Sequence, residues 1–265
     1  MLLKDLLFLA LPTRKFSELK SDRILITLEK LRLRIQERFP GSGLGTVADE
    51  LSQVAGEVES LLEKLRRPIW ELRLLTVAAI LTLIAVAIGI VVLSMELSTD
   101  VNGLADFLQA AESAINELIF LSLAIFFLGT LESRFKRWIT LRSLHRLRSI
   151  AHVVDMHQLT KDPAYLLANG GNTTSSPERT MTPYELTRYL DYCSEMLALL
   201  SKLAGLHAQY VDEPVVLAAV NDMETLCHGL SAKIWQKIMI LDLAIPREEK
   251  TGESEEEAVE KENER

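Results

Sequence analysis

All five histidines, His145, His152, His157, His207 and His228, lie in the C-terminal half of the chain. His145, His152 and Asp155 stand at i, i+7 and i+10, which on a helix brings two imidazoles and a carboxylate to one face. A zinc site needs three or four such ligands converging on one point. Here His207 or His228 would have to complete the set from another helix, and the tight i, i+4 pair of the HExxH type is absent. The bland expectation is therefore that these histidines make hydrogen bonds between helices or sit at helix ends, with no metal bound. Cys193 and Cys227 form no CxxC and fit no disulfide framework. Both fall on apolar helical stripes, so buried inert thiols in a reducing compartment are expected. Gly41, Gly43 and Gly45 invite comparison with a phosphate cradle, but no strand precedes them and no Gly-Lys-Ser/Thr follows. They read as a connector between helices. With no nucleophile–base pair and no GxSxG, neither a catalytic residue nor a cofactor is expected, and the chain is not expected to be an enzyme.

The other polar and small-residue patterns belong to membrane chemistry. Asn116 and Glu117 stand at one edge of an apolar run and are a candidate pore mouth, since a ring of carboxylates there would attract cations. Arg134, Lys136 and Arg137 open a basic stretch reaching to Arg148, a candidate lipid-facing flank. Ala78, Thr82, Ala85 and Gly89 recur at i, i+4, i+7 and i+11, and Ser122, Gly129 and Ser133 offer a similar face. Small side chains let helix backbones approach closely, which is how helices associate in lipid. Such seams serve either packing within one hairpin or contact between protomers.

The elements that must carry these residues follow from hydropathy. Leu74–Met95 contains 22 residues without a charge, roughly 33 Å of helix, matched to a hydrocarbon core of about 30 Å. Leu118–Leu131 is shorter, but Ala110, Ala111, Ser113, Ala114 and Ile115 extend it upstream. Two transmembrane spans, about 74–95 and 112–131, are thus expected within a hairpin of residues 71–138. Lys64, Arg66, Arg67 and Arg73 precede the first span, and Arg134 to Arg148 follow the second, whereas Glu96 to Glu117 holds no Lys or Arg. Positive charge resists translocation, so both termini are placed in the cytoplasm and the acidic connector 96–111 outside, in a cell or inner membrane. Met1–Leu11 has too short an apolar run for a signal peptide and reads as a surface segment.

The flanks read as helices. Ile24, Leu28, Leu31 and Ile35 share one face of a segment from about Ser17 to Phe39, which Pro40-Gly41 ends. Leu44, Val47, Leu51, Val54, Val58, Leu61 and Leu65 then form a heptad seam. Residues 1–70 are expected to be a cytoplasmic helical hairpin, its seam buried within the chain or against a second copy. After the second span, Trp138, Leu141, Leu144, Leu147, Ala151 and Val154 continue a stripe, so one rod is expected to run on to about Leu159. Leu186, Leu190, Cys193, Leu197, Leu200, Ala204 and His207 mark the next helix, which Thr182-Pro183-Tyr184-Glu185 caps. Val216, Val220, Met223, Cys227, Leu230, Ile234, Ile238 and Leu241 mark the last. Residues 139–245 form a cytoplasmic bundle interrupted by a flexible loop at 163–181, and 246–265 an acidic, disordered tail.

The fold class is all-α, with 265 residues, a net charge of −8 and a pI near 5.3. Acidity argues against nucleic acid as a partner. The expected partners are membrane lipids, further copies of the chain and a cytoplasmic protein. The expected function is a non-enzymatic, homo-oligomeric membrane-anchored scaffold or signal-coupling protein; the alternative is an oligomeric ion channel or pore built from the hairpin.

Overall fold

A computed structural model of the chain describes residues 18–97, 104–163, 174–176 and 180–244. The expected surface segment 1–11, residues 98–103 of the acidic connector, most of the flexible loop and the tail 246–265 lie outside the described residues. Seven helices are described: α1 (Ser21–Arg38), α2 (Gly43–Arg66), α3 (Trp70–Leu97), α4 (Leu104–Gly129), α5 (Leu131–Leu159), α6 (Pro183–Tyr210) and α7 (Pro214–Ala244). No strand occurs among the described residues. α3 and α4 belong to stretches long and apolar enough to cross a membrane, and none of either one's most apolar window is buried inside the chain.

Two compact units are distinguished. One draws its described residues from Met1–Leu62 and Leu141–Arg265, the other is Glu63–Thr140. The first unit is therefore discontinuous, assembled from sequence on both sides of the apolar helices.

In this first unit α1 buries Ile24, Leu28, Leu31 and Ile35, the expected face. Gly41 turns the chain with φ +69°, a conformation that costs a residue with a Cβ about 1 kcal/mol. Ser42 then caps α2 by accepting a hydrogen bond from the Gly45 N–H at 3.2 Å. Gly43 is needed for a different reason: a Cβ there would lie 2.4 Å from the His157 ring on α5. The glycines are thus a connector and a close contact. The heptad seam of α2 is buried inside the chain from Leu44 to Val58 and again at Leu65. Between these the expectation slips by one residue: Leu62 is buried, whereas Leu61 is only half-buried. A helix repeats every 3.6 residues, so a strict heptad drifts off the seam over several turns.

α6 is the central helix, packing most extensively on α7 and also on α1. Its start carries the expected capping box: Thr182 Oγ1 accepts from the Glu185 N–H at 3.2 Å, and the Glu185 carboxylate accepts from the Thr182 N–H at 2.8 Å. Its whole predicted stripe is buried, and so are Tyr189, Tyr192, Met196, Leu199, Leu203 and Leu206, because neighbours cover it on more than one side. Phe39, at the end of α1, sets its ring edge-on to Tyr189 (5.5 Å between centroids) and Tyr192 (6.2 Å). At the rim of the same contact Arg34 pairs with Glu195 at 2.5 Å. α5 joins through Leu144, Leu147, Ile150, Ala151 and Val154, an Arg146–Glu57 ion pair to α2, and the Lys237 ammonium of α7, which donates to the Gln158 carbonyl at 2.7 Å.

One feature of the expected rod is corrected: Trp138 is 56% exposed and stacks on Phe135 instead of continuing the stripe. At Thr130 the helix only tightens. The Thr130 N–H is shared between the Phe126 and Phe127 carbonyls, and the Arg134 N–H reaches the Thr130 carbonyl at 3.1 Å, so α4 and α5 form one helical stretch that runs on to Leu159.

Replacing Phe39→Ala should remove the aromatic contact that joins the N-terminal helices to α6. We expect the full chain in detergent to lose about 3 kcal/mol in denaturant unfolding followed by far-UV circular dichroism. Ile26→Ala, on the exposed side of α1, should change it by less than about 0.5 kcal/mol.

Candidate functional site

The Glu63–Thr140 unit is where the sequence places most of its candidate residues. α3 and α4 pack along one another. They run antiparallel, since Arg73 at the beginning of α3 meets Glu132 just beyond the end of α4. The Glu132 carboxylate accepts from Arg73 Nε at 2.5 Å, pairs with Lys136 at 3.0 Å, and accepts from the Ile69 N–H at 3.4 Å. The Arg73 hydrogen bond, aided by the other two, outweighs partial burial and holds this carboxyl at about 2. The Lys136 ammonium also donates to the Arg67 carbonyl at 3.3 Å. Glu132 thus clasps the two ends of the apolar pair. The sequence marked it only as a charged boundary, though its i, i+4 spacing to Lys136 was a readable signal.

On α3 the half-buried residues facing α4 are Leu72, Thr76, Ala79, Ile80, Leu83, Ile84 and Ala87. Ala78, Thr82, Ala85 and Gly89 fall on the other side and are all exposed. Ser122, Gly129 and Ser133 are exposed likewise, while Leu121, Ala124, Ile125 and Leu128 face α3. A Cβ on Gly89 or Gly129 would meet nothing within 4 Å. The α3–α4 interface is made by Leu and Ile together with Thr76, Ala79, Ala87 and Ala124, and the small-residue seams take no part in it. Thr82 and Ser122 satisfy their hydroxyls on the Ala78 and Leu118 carbonyls of their own helices, as polar groups on an apolar surface must.

Beside the α3–α4 interface runs a groove of about 840 Å³, lined among others by Leu83, Val86, Phe120, Phe126 and Phe127, with Glu117 and Arg134 as its charged members. Glu117 is half-buried in it; Asn116 is exposed and not part of it, so the structure separates this predicted pair. Arg134 Nε donates to the Thr130 hydroxyl at 3.2 Å, and its guanidinium lies 5.0 Å from the centre of the Phe127 ring. Arg134 is exposed, whereas Lys136 and Arg137 are half-buried.

The histidines do not converge. His145, His152 and His228 are exposed, and His157 lies over Gly43. Among the described residues no group of three or more His, Cys, Asp or Glu could hold a metal ion. His207 is fully buried, with Nδ1 3.0 Å from the Leu203 carbonyl and Nε2 3.0 Å from the Ser143 hydroxyl. A carbonyl only accepts, so Nδ1 carries the proton and Nε2 accepts from Ser143. Burial lowers the pKa of this imidazole and keeps it neutral, a bridge between α6 and α5. Burial also pushes the Cys193 thiol up to about 12 and the Cys227 thiol up to about 11. Neither offers a thiolate near neutral pH.

No family model matches this sequence, and no curated protein or solved structure is significantly similar to it.

The His207 bridge makes stability depend on pH. Above the ordinary value of 6.5 the imidazole is neutral whether the chain is folded or not. Below it the unfolded chain takes up a proton that the buried ring refuses, so stability falls as the pH drops. Thermal unfolding of the purified chain should show a midpoint that declines from about pH 7.5 to about pH 5.5. His207→Gln should flatten that slope and cost roughly 1–3 kcal/mol at neutral pH.

Proposed function

We propose that this chain is a membrane-anchored helical scaffold or signal-coupling protein, non-enzymatic and self-associating. α3 and α4 cross the membrane as a hairpin, and both flanks lie together in the cytoplasm. The observation that carries this is the discontinuous helical unit, built from residues before and after two apolar helices whose surface the chain itself leaves bare. Segments that fold into one unit lie on one side of a membrane. That agrees with the basic residues that flank both apolar stretches and with the Lys- and Arg-free connector.

Self-association is supported by the seams. The heptad seam of α2 is buried within its own chain and offers nothing to a second copy. Ala78, Thr82, Ala85 and Gly89 remain open, on a face where close backbone approach is sterically free. A partner-binding role draws on the exposed apolar groups of the helical unit, such as Trp235, Met239 and Leu243, one turn apart on α7. A pore has narrower support: Glu117 is half-buried beside the α3–α4 interface, but without Asn116 beside it.

Two measurements test this. Single cysteines placed at Asp100, Glu50 and Lys233 can be probed with an impermeant maleimide in sealed cells, since the buried native thiols should stay silent. Asp100→Cys should label from outside and the other two only after lysis. Labelling of Asp100→Cys and Lys233→Cys from the same side would sink the hairpin. Light scattering in detergent should give a mass above one chain, and Ala85→Leu should weaken association about tenfold, roughly 1.4 kcal/mol. A monomer at all concentrations would refute self-association. Glu117→Gln should leave the mass unchanged; a loss of cation conductance in reconstituted bilayers would instead favour the pore.

A further inference from the structure

The groove beside the α3–α4 interface has an apolar body and a single cation at its base. Arg73 and Lys136 are committed to Glu132, but Arg134 has no carboxylate in reach among the described residues. Its guanidinium is instead held in place from two sides. Nε donates to Thr130 Oγ1 at 3.2 Å, and the plane lies over Phe127, a groove residue, at 5.0 Å. That leaves the two terminal NH2 groups as a fixed fork, the geometry that suits a phosphate. Thr130 stands one helical turn before Arg134, which puts its hydroxyl within reach.

We propose that this groove binds one anionic glycerophospholipid of the cytoplasmic leaflet, its phosphate on Arg134 and an acyl chain along Phe127, Phe126, Phe120 and Leu83. This rests on the membrane reading given above and adds to it the site and the lipid class. Charge complementarity selects the occupant. A second copy of the chain would enter the membrane in the same orientation, so its Glu117 would sit 17 residues, roughly 25 Å, from the Arg134 end. Its Glu132 is already clasped. Anionic headgroups lie at the depth of Arg134 at the membrane surface. The volume of about 840 Å³ falls in the range of roughly 300–1,000 Å³ of sites for small ligands. The groove also lies on a different side of α3 from Ala78, Thr82, Ala85 and Gly89, so lipid and protomer need not compete.

The test is electron spin resonance on the full-length chain reconstituted in phosphatidylcholine vesicles, with trace spin-labelled phosphatidylglycerol or phosphatidylcholine. The motionally restricted fraction should favour phosphatidylglycerol by about fivefold, the scale of one cation at an anionic surface. Arg134→Gln should abolish that preference. Arg66→Gln, an exposed cation outside the groove, should retain it. Arg134→Lys should keep only part of it, because a point charge lacks the fork. Equal losses in the Arg134 and Arg66 variants would mean a diffuse basic belt and overturn the site, as would no preference in the unaltered chain. A nitroxide on Leu123→Cys broadened by a neighbouring label would seat a second copy in the groove instead, and also overturn it. No restricted lipid of either kind would mean that the chain does not enter the bilayer, and would refute the membrane reading itself.

Discussion

Two helices of this chain carry apolar side chains on every face, and the other described residues leave them uncovered. Side chains such as Phe120 and Leu74 are each 72% exposed. At about 25 cal/mol per Å² this surface would be very costly in water. Much else follows from it. The two helices can bury only a narrow strip against each other, so the hairpin depends on what closes its ends. Glu132 meets that need by drawing Arg73, Lys136 and the Ile69 N–H to one carboxylate where the apolar surface stops. Here three donors offset the cost of partial burial, which a single exposed ion pair would do only weakly.

The water-facing unit works by the opposite rule. Its core is closed by a central helix, α6, whose sides are occupied by α1 and α7, and by α5 through the His207–Ser143 bridge. Its buried polar groups are not gathered into a site; His207 is paired, while Gln158 Oε1 has no hydrogen-bond partner among the described residues. His207 has a donor and an acceptor matched on its two nitrogens, and the thiols are held protonated by burial. Chemistry-bearing residue types are present, but their surroundings make them structural.

Between these regimes lies the base of the hairpin, where polar groups remain available. The Thr130 hydroxyl and the Phe127 ring hold Arg134 in place, and its terminal amino groups meet no carboxylate among the described residues. Meanwhile the small-residue faces of both apolar helices point away from their mutual interface. The hairpin packs through Leu, Ile and Ala and leaves Ala78, Thr82, Ala85 and Gly89 exposed on another side. The proposed lipid and protomer surfaces therefore fall on different sides of α3.

Local order and burial by helix were determined by the sequence alone. Hydropathy located both apolar helices, because residues that must all be apolar leave no periodicity to misread. Period and punctuation located the others: the α1 face, the α6 capping box and the α7 stripe each depend on residues three or four apart in one chain segment. The tertiary structure alone decided which of two equivalent faces meets a neighbour. Spacing recognised the small-residue seam but could not say that the face of Ile80, Leu83 and Ala87 would meet α4 instead, since both choices have the same period. Nor could it pair Glu132 with Arg73, His207 with Ser143 or Phe39 with Tyr189, which are brought together from far apart in the chain. Leu62 displaced Leu61 through helical drift, and Trp138 left the stripe to stack on Phe135. Contacts of that kind depend on how whole helices pack, and no window of one segment contains the information.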